Sequence, residues 1–297
     1  MAQHPAPEPS AHVIRPRELA RDLLLIPQLP GELAANMGVI GGTHSVLVVE
    51  TGMGPRNGEA LLRFATEYAR GRRIYLTTTH FHPEHAFGAQ AFAGEAEYLV
   101  NRAQAKDLST KGAGYLDMFR GFGGPIAEQL EGVELVSPDV VYDHTHVLDL
   151  GSRVVQLRAT GRAHTLGDQV ITVPDAGVMF TGDLVEAGQF SIFPWFPPYD
   201  TDVSGTRWIT VMEKLLAEQP EVVVPGHGAV GGPQLLADVR DYLRLLRDET
   251  WRRRDSAVSE ETIVAEVTAL MLDRHPEWIG QEWIEKGVGC LCAEHAH

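Results

Sequence analysis

Residues 77–88 read TTTHFHPEHAFG, with three histidines and a glutamate inside the six positions 80–85. The stretch before it, RRIYLTTTH (72–80), has β-branched, strand-like composition. Earlier still, GEALLRFATEYARG (58–71) carries apolar residues at helical spacing and ends on Gly. A helix, then a strand, then a cluster of ligand-type side chains is the order expected of an α/β scaffold, which gathers functional groups at strand ends and in the loops after them. Side chains alternate along an extended strand end, so His80 and His82 project to one side while Phe81 points into the core. Pro83 opens a helical turn, which swings Glu84 and His85 to a neighbouring point. Zinc accepts imidazole nitrogen and carboxylate oxygen, so this segment alone supplies up to four ligands. A lone histidine is more often structural; three beside a carboxylate point to a metal. The HExxH pattern does not apply, because it needs two histidines four apart on one helix with Glu directly after the first, and the spacing here is HxHxEH.

Working outward, DLLLIPQL (22–29), AANMGVIGG (34–42) and HSVLVVETG (44–52) read as short apolar strands punctuated by Gly and Pro. Residues 101–131 read as two helical pieces around the Gly-rich GFGG, an insertion placed to cover a site as a lid. A second strand series follows in VVYDHTHVLDL, RVVQLRATG, QVITVPD and GVMFTGD. GTRWITVMEKLLAEQ is helical, EVVVPGHG runs from strand to loop, and QLLADVRDYLRLLRDETWRRR is a long amphipathic helix. The order predicts two similar α/β halves stacked together. Residues 1–21 are expected to form a flexible tail, 22–255 the catalytic domain and 256–297 a helical extension with one more helix.

The 297 residues suffice for one large domain or two modest ones. No apolar run approaches the roughly 20 residues of a membrane helix, and the Pro- and Ala-rich start lacks the build of a secretory signal. A soluble, cytoplasmic protein with no membrane partner is the expectation. A net charge of −15 argues against nucleic acid as a partner. Cys290 and Cys292 read as free thiols in a terminal segment. Self-association into a homo-oligomer is left open.

The HxHxEH spacing resembles the HxHxDH signature of the metallo-β-lactamase superfamily, binuclear metallohydrolases that include glyoxalase II-type thioesterases, lactonases and zinc β-lactamases. The other stations of that family follow in order: VVETG with Glu50, GRAHTLGD with His164 and Asp168, MFTGDL with Asp183, and VVPGHG with His227. The resemblance covers about residues 22–255. It implies a four-layer αββα sandwich and two zinc ions, with iron or manganese as alternatives. His80, His82 and His164 would hold the first ion. Glu84, His85 and His227 would hold the second, with Asp183 bridging. Glu50, Thr78, Thr79 and Asp168 would orient ligand imidazoles through their other nitrogen. Two departures stand out, Glu in place of Asp at 84 and at 50. An extra methylene moves a carboxylate by about 1.5 Å, against a coordination tolerance of about 0.2 Å. Glu84 therefore binds from a shifted backbone or rotamer, binds in another mode, or leaves the second ion weakly held.

Two close metal ions bring a shared water near neutrality in pKa and hold it as hydroxide, and no side-chain nucleophile elbow competes for the role. The resemblance thus implies a hydrolase for a carboxylic ester, thioester, lactone or β-lactam, with Asp183 or Glu84 managing the proton. A one-iron oxygenase like the persulfide dioxygenases and a phosphodiesterase are the rivals of the same fold. Phe193, Trp195, Phe196 and Tyr199, in FSIFPWFPPYDTD (190–202), are the expected substrate contacts. The lack of an Arg/Lys cluster near the motifs favours an uncharged or hydrophobic acyl compound.

Overall fold

Alternation along single strands builds two cores at once. In β4 (Ser45–Val49), Val46 and Val48 pack on one side with Leu61 and Ala65 of helix α1 (Pro55–Ala69). Leu47 and Val49 of the same strand face the other way, among the apolar residues of a second sheet. This period-two split places a helix layer on one face and a sheet on the other. In the computed structural model, residues 14–27 and 33–295 are described.

The first sheet has the order β1-β2-β3-β4-β5-β6-β7. It adds β1 (Arg17–Ala20), β2 (Leu23–Ile26), β3 (Met37–Gly41), β5 (Arg73–Thr77), β6 (Glu97–Asn101) and β7 (Val140–Tyr142). β1 to β4 pair antiparallel and β4 to β7 parallel. The second sheet is ordered β12-β11-β10-β9-β8, from β8 (Thr145–Asp149), β9 (Val154–Ala159), β10 (Gln169–Val173), β11 (Val178–Glu186) and β12 (Val222–His227). Only β11 and β12 run parallel there. Leu25, Ile40, Leu47, Leu157, Ile171 and Phe180 fill the space between the sheets. Outside the second sheet lie α5 (Gly205–Ala217) and α6 (Gln234–Asp255). The layers are helix, sheet, sheet, helix, the expected four-layer sandwich.

Three expectations change. Residues 1–13 of the expected tail lie outside the described residues, but Arg17–Ala20 is strand β1, paired with β2. VVYDHTHVLDL is two strands, not one: β7 closes the first sheet and β8 opens the second, with Asp143 and His144 as the bend between them. Continuous strand composition hid a change of sheet. The C-terminal segment holds two helices, α7 (Glu260–Arg274) and α8 (Glu282–His295). Ile263, Val267, Met271, Ile284, Val288 and Leu291 share one core with α5, α6 and the second sheet, so the extension is not a separate body.

The insertion forms α3 (Arg102–Gly121) and α4 (Gly124–Gln129). Asn101 caps α3 by accepting the Gln104 N–H. Lys111 anchors α3 to the loop after β11, with Nζ 3.0 Å from both Asp200 carboxylate oxygens, 2.5 Å from Asp202 and 3.6 Å from Asp107.

Candidate metal centre

β5 ends at Thr77 and α2 (Pro83–Ala86) begins with His82 as its N-cap, so Thr78–His82 form the connection. Pro83 fits the first helical position because its missing N–H has no partner to lose there. His80 Nε2 lies 3.0 Å from His82 Nδ1, and His164 Nε2 lies 3.1 Å from the same Nδ1. His164 comes from the loop between β9 and β10, so the three nitrogens meet from both sheets. Tetrahedral zinc with bonds of about 2.05 Å would set such nitrogens about 3.3 Å apart, close to what is seen.

The second group is Glu84, His85, Asp183 and His227, all buried, with ligand atoms within 4.8 Å of one another. Asp183 faces both groups. Its Oδ1 is 3.1 Å from His85 Nε2 and 3.6 Å from His227 Nε2, and its Oδ2 is 3.8 Å from His164 Nε2 and 4.0 Å from His80 Nε2. The approach depends on Gly226 in the VVPGHG station: a Cβ there would lie 1.9 Å from Asp183 Oδ1. Gly182, at φ +52°, likewise leaves space that Thr79 Oγ1 occupies.

The residues expected behind the ligands divide. Glu50, itself at φ +68°, accepts the Thr79 hydroxyl at 2.6 Å and lies 3.3 Å from His85 Nδ1. Thr79 Oγ1 is 3.2 Å from His80 Nδ1. A non-Gly residue held in the left-handed region costs about 1–3 kcal/mol and persists where surrounding contacts over-determine it. Thr78 and Asp168 touch no ligand imidazole. The Thr78 hydroxyl pairs with Tyr98 and Gln104, and Asp168 accepts the Thr165 N–H at 2.9 Å and its hydroxyl, closing the His164 loop. The other nitrogen of His164 meets the Ile192 carbonyl at 2.9 Å.

Two supports went unread in the sequence. Glu186 is buried and accepts the Ile192 N–H at 3.2 Å, fixing the residue whose carbonyl holds His164. Asn36 donates to the Pro225 and Gly228 carbonyls, both at 2.9 Å, and clamps the loop that carries His227. Both act through the main chain, which leaves no motif.

Burial sets the protonation states. It holds His80 well below the usual imidazole range, helped by the neighbouring His85 and His82, and holds His82 well below it with His164 beside it. His164 is pushed down to about 4, and His227 is lowered. Neutral imidazoles are the form a metal ion binds. Burial also opposes charge on His85, but Asp183 and Glu50 outweigh it and hold this ring well above its ordinary value. Burial pushes Glu84 up to about 7. Glu84 Oε2 is buried without a hydrogen-bond partner among the described residues. A stranded acceptor costs about 1–3 kcal/mol, and a cation would relieve it. The donor set of imidazole and carboxylate, gathered in two groups, fits divalent metal ions.

A cavity of about 460 Å³ opens from His82, Glu84 and His227. Of the four aromatic candidates Phe196 lines it, while the other three lie elsewhere. Phe193 is fully buried against Trp208 with ring centroids 5.3 Å apart; Trp195 faces a separate groove near Glu260; and Tyr199 is half exposed, its hydroxyl on the Lys111 carbonyl. The unexpected lining comes from two places. From α3, Tyr115 stacks on the His82 ring at 4.8 Å, followed by Met118, Phe119 and Phe122. From the C-terminal segment come Ile279, Glu282 and Trp283.

A family model described as the metallo-β-lactamase superfamily matches residues 30–227. The linear primary-alkylsulfatase of Pseudomonas sp. (strain ATCC 19151) is 23% identical over 268 residues, 77% of this chain and 49% of that protein. The chain thus spans about half the length of the curated relative it matches. Among solved structures, the metallo-β-lactamase from Pontibacter korlensis superposes with a TM-score of 0.62 at 17% identity, covering 78% of this chain and 99% of that one. The stereoselective inverting sec-alkylsulfatase Pisa1 from Pseudomonas sp. gives 0.73 at 15% identity, covering 96% of this chain and 50% of that one. At such identities these superpositions speak to fold. With every ligand-type side chain of both groups inside the matched span, on a sandwich of two sheets between helices, the chain belongs to the metallo-β-lactamase superfamily.

Proposed function

We propose that this protein is a zinc-dependent, binuclear hydrolase that cleaves an uncharged carboxylic ester, thioester, lactone or β-lactam. The observation that carries the reading is Asp183, one carboxylate oxygen turned to each histidine-rich group. His80, His82 and His164 would hold one ion and Glu84, His85 and His227 the other. Bound divalent ions supply Lewis acidity, which lowers the pKa of water towards neutrality and polarises a carbonyl. The protein's own groups do the rest. The Ile192 carbonyl and the Glu50–Thr79 pair fix ring orientation, and Tyr115 and Phe119 exclude water beside His82. Among the described residues neither Lys nor Arg lines the cavity, so away from the bound ions an anionic substrate would find no compensating side chain. Two complete ligand groups favour this chemistry over a one-iron oxygenase.

A second reading, hydrolysis of an alkyl sulfate, is favoured by one observation: the sec-alkylsulfatase superposition covers 96% of the chain, against 78% for the β-lactamase. The test is a substrate panel of a small ester, thioester, lactone, β-lactam and alkyl sulfate, assayed with metal-loaded protein before and after chelation. Chelator-sensitive turnover of a neutral acyl compound is the expected result. Turnover of the sulfate alone would transfer the assignment to the second reading, and oxygen uptake without hydrolysis would remove both.

A further inference from the structure

We infer that the cavity beside the two ligand groups receives an uncharged alkyl or acyl chain, gripped between α3 and the C-terminal segment, with Phe122 and Ile279 setting the chain length accepted. The inference rests on the hydrolase reading for the chemistry and on the cavity alone for binding.

The cavity has a floor and a mouth. Its floor is His82, Glu84 and His227, all at most 5% exposed. At the mouth, Phe122 is 60% and Ile279 is 67% exposed, and both line the same cavity. Single exposed apolar residues need no explanation. Here two large ones come from distant parts of the chain and flank one opening. The rest of the lining includes Tyr115, Met118 and Phe119 on α3, and Ile192, Phe196 and Trp283 from other segments. A guest entering at Phe122 and Ile279 meets mostly apolar surface, with Gln189 and Glu282 as its polar exceptions, until it reaches the histidines, the profile of a site for an apolar chain with a reactive end.

Charge decides the class. The ionisable groups on the lining besides the histidines and Tyr115 are the carboxylates Glu84 and Glu282, on a chain of net charge −15. Glu282 stands at the exposed end, on the first turn of α8. At the mouth Glu282 would repel an alkyl sulfate or a fatty carboxylate and not a neutral ester, whereas ions held at the floor would attract any anionic head, so the lining by itself favours the uncharged compound.

The walls are also fixed. Lys111, with its three carboxylates, and Tyr115, donating to Asp200 Oδ2 at 2.9 Å, tie α3 to the loop that carries Phe196. On the other side the Phe190 N–H donates to the Ile279 carbonyl at 3.0 Å and the Ile279 N–H to the Gly188 carbonyl at 3.2 Å. A pre-formed cavity loses little on binding to ordering its walls.

Two homologous series test this. In metal-loaded protein, kcat/KM for p-nitrophenyl esters from acetate to dodecanoate is expected to climb by up to about fourfold per methylene, then level off where the chain passes Phe122 and Ile279. In the Phe122→Ser, Ile279→Ser double variant, the ratio of decanoate to butyrate kcat/KM is expected to fall at least tenfold; both positions are exposed, so folding is not at stake. Independently of turnover, calorimetry of 1-alkanols from butanol to decanol on metal-free protein should show tightening with length and a negative heat-capacity change, with decyl sulfate binding more weakly than decanol. A flat alkanol series, or an unchanged ratio in the double variant, overturns the inference and leaves the hydrolase reading standing. Decyl sulfate binding as tightly as decanol overturns its charge argument. A length-dependent alkanol series without hydrolysis of any ester supports the chain site and removes the hydrolase reading instead.

Discussion

Glu84 reaches the second ligand group from the first turn of α2, its carboxylate atom within 4.8 Å of those of His85, Asp183 and His227. Shortening it draws the carboxylate back by about 1.5 Å, well beyond the tolerance of a coordination bond. Glu84→Asp, although it restores the residue more usual in this family's motif, is expected to weaken the second ion at least tenfold while the first is retained. Stepwise cobalt titration followed by visible absorption reads both sites, and two unchanged steps would show that α2 shifts to compensate. The candidate ligand groups were legible because each residue stands out by type at or near a strand end: HxHxEH, GRAHTLGD, TGD, PGHG. Glu186 and Asn36 were not, since they work through the Ile192, Pro225 and Gly228 peptides. Among the aromatics of FSIFPWFPPYD, nothing in composition separates Phe196, on the cavity, from Phe193, in the core behind it. Thr78 and Asp168 show the same limit, being adjacent in sequence to the right loops and turned to other partners.

Helix α3 is held by a patch richer in acid than in base: one Lys111 against Asp107, Asp200 and Asp202. Burial pushes Asp107 up to about 6, despite the nearby ammonium. Its folded value therefore exceeds the ordinary 3.8, and between those limits the folded state holds a proton that the unfolded chain has released. The contribution is full below about pH 4 and is lost as pH rises to 6. Asp107→Asn removes that dependence, so wild type should lose on the order of 3 kcal/mol relative to the variant between pH 4 and 7. Urea unfolding of both proteins across that range measures it, and parallel curves would refute the burial argument. Element existence was well marked here. Periodicity gave α1, α5 and α6, and GFGG gave the joint between α3 and α4. The β7–β8 passage escaped, because a strand that ends in one sheet and a strand that starts in another carry the same residue types.

The whole sandwich is needed to assemble the candidate centre. The half built on the first sheet brings His80, His82, Glu84 and His85; the half built on the second brings His164, Asp183 and His227. An ion that binds this assembly but not the unfolded chain stabilises it by about 2.7 kcal/mol at a hundredfold excess over its dissociation constant. Chelation should therefore lower Tm by about 4 °C per ion, with recovery on returning zinc; calorimetry that finds the two melts superimposed would mean the histidines hold no ion. The sandwich itself was readable from the two strand–helix series. Of the two C-terminal helices only one was expected, and only the fold brings Ile279 and Trp283 to the cavity.

The division of ligands between the halves also bears on how the protein acquires its metal during synthesis. At about 5–20 residues per second, HFHPEH leaves the ribosome on the order of ten seconds before His227 does, and in that interval it is a bare cluster open to any ion present. Any discrimination that needs both halves can operate only after β11 and β12 have docked and brought Asp183 and His227 to the cluster.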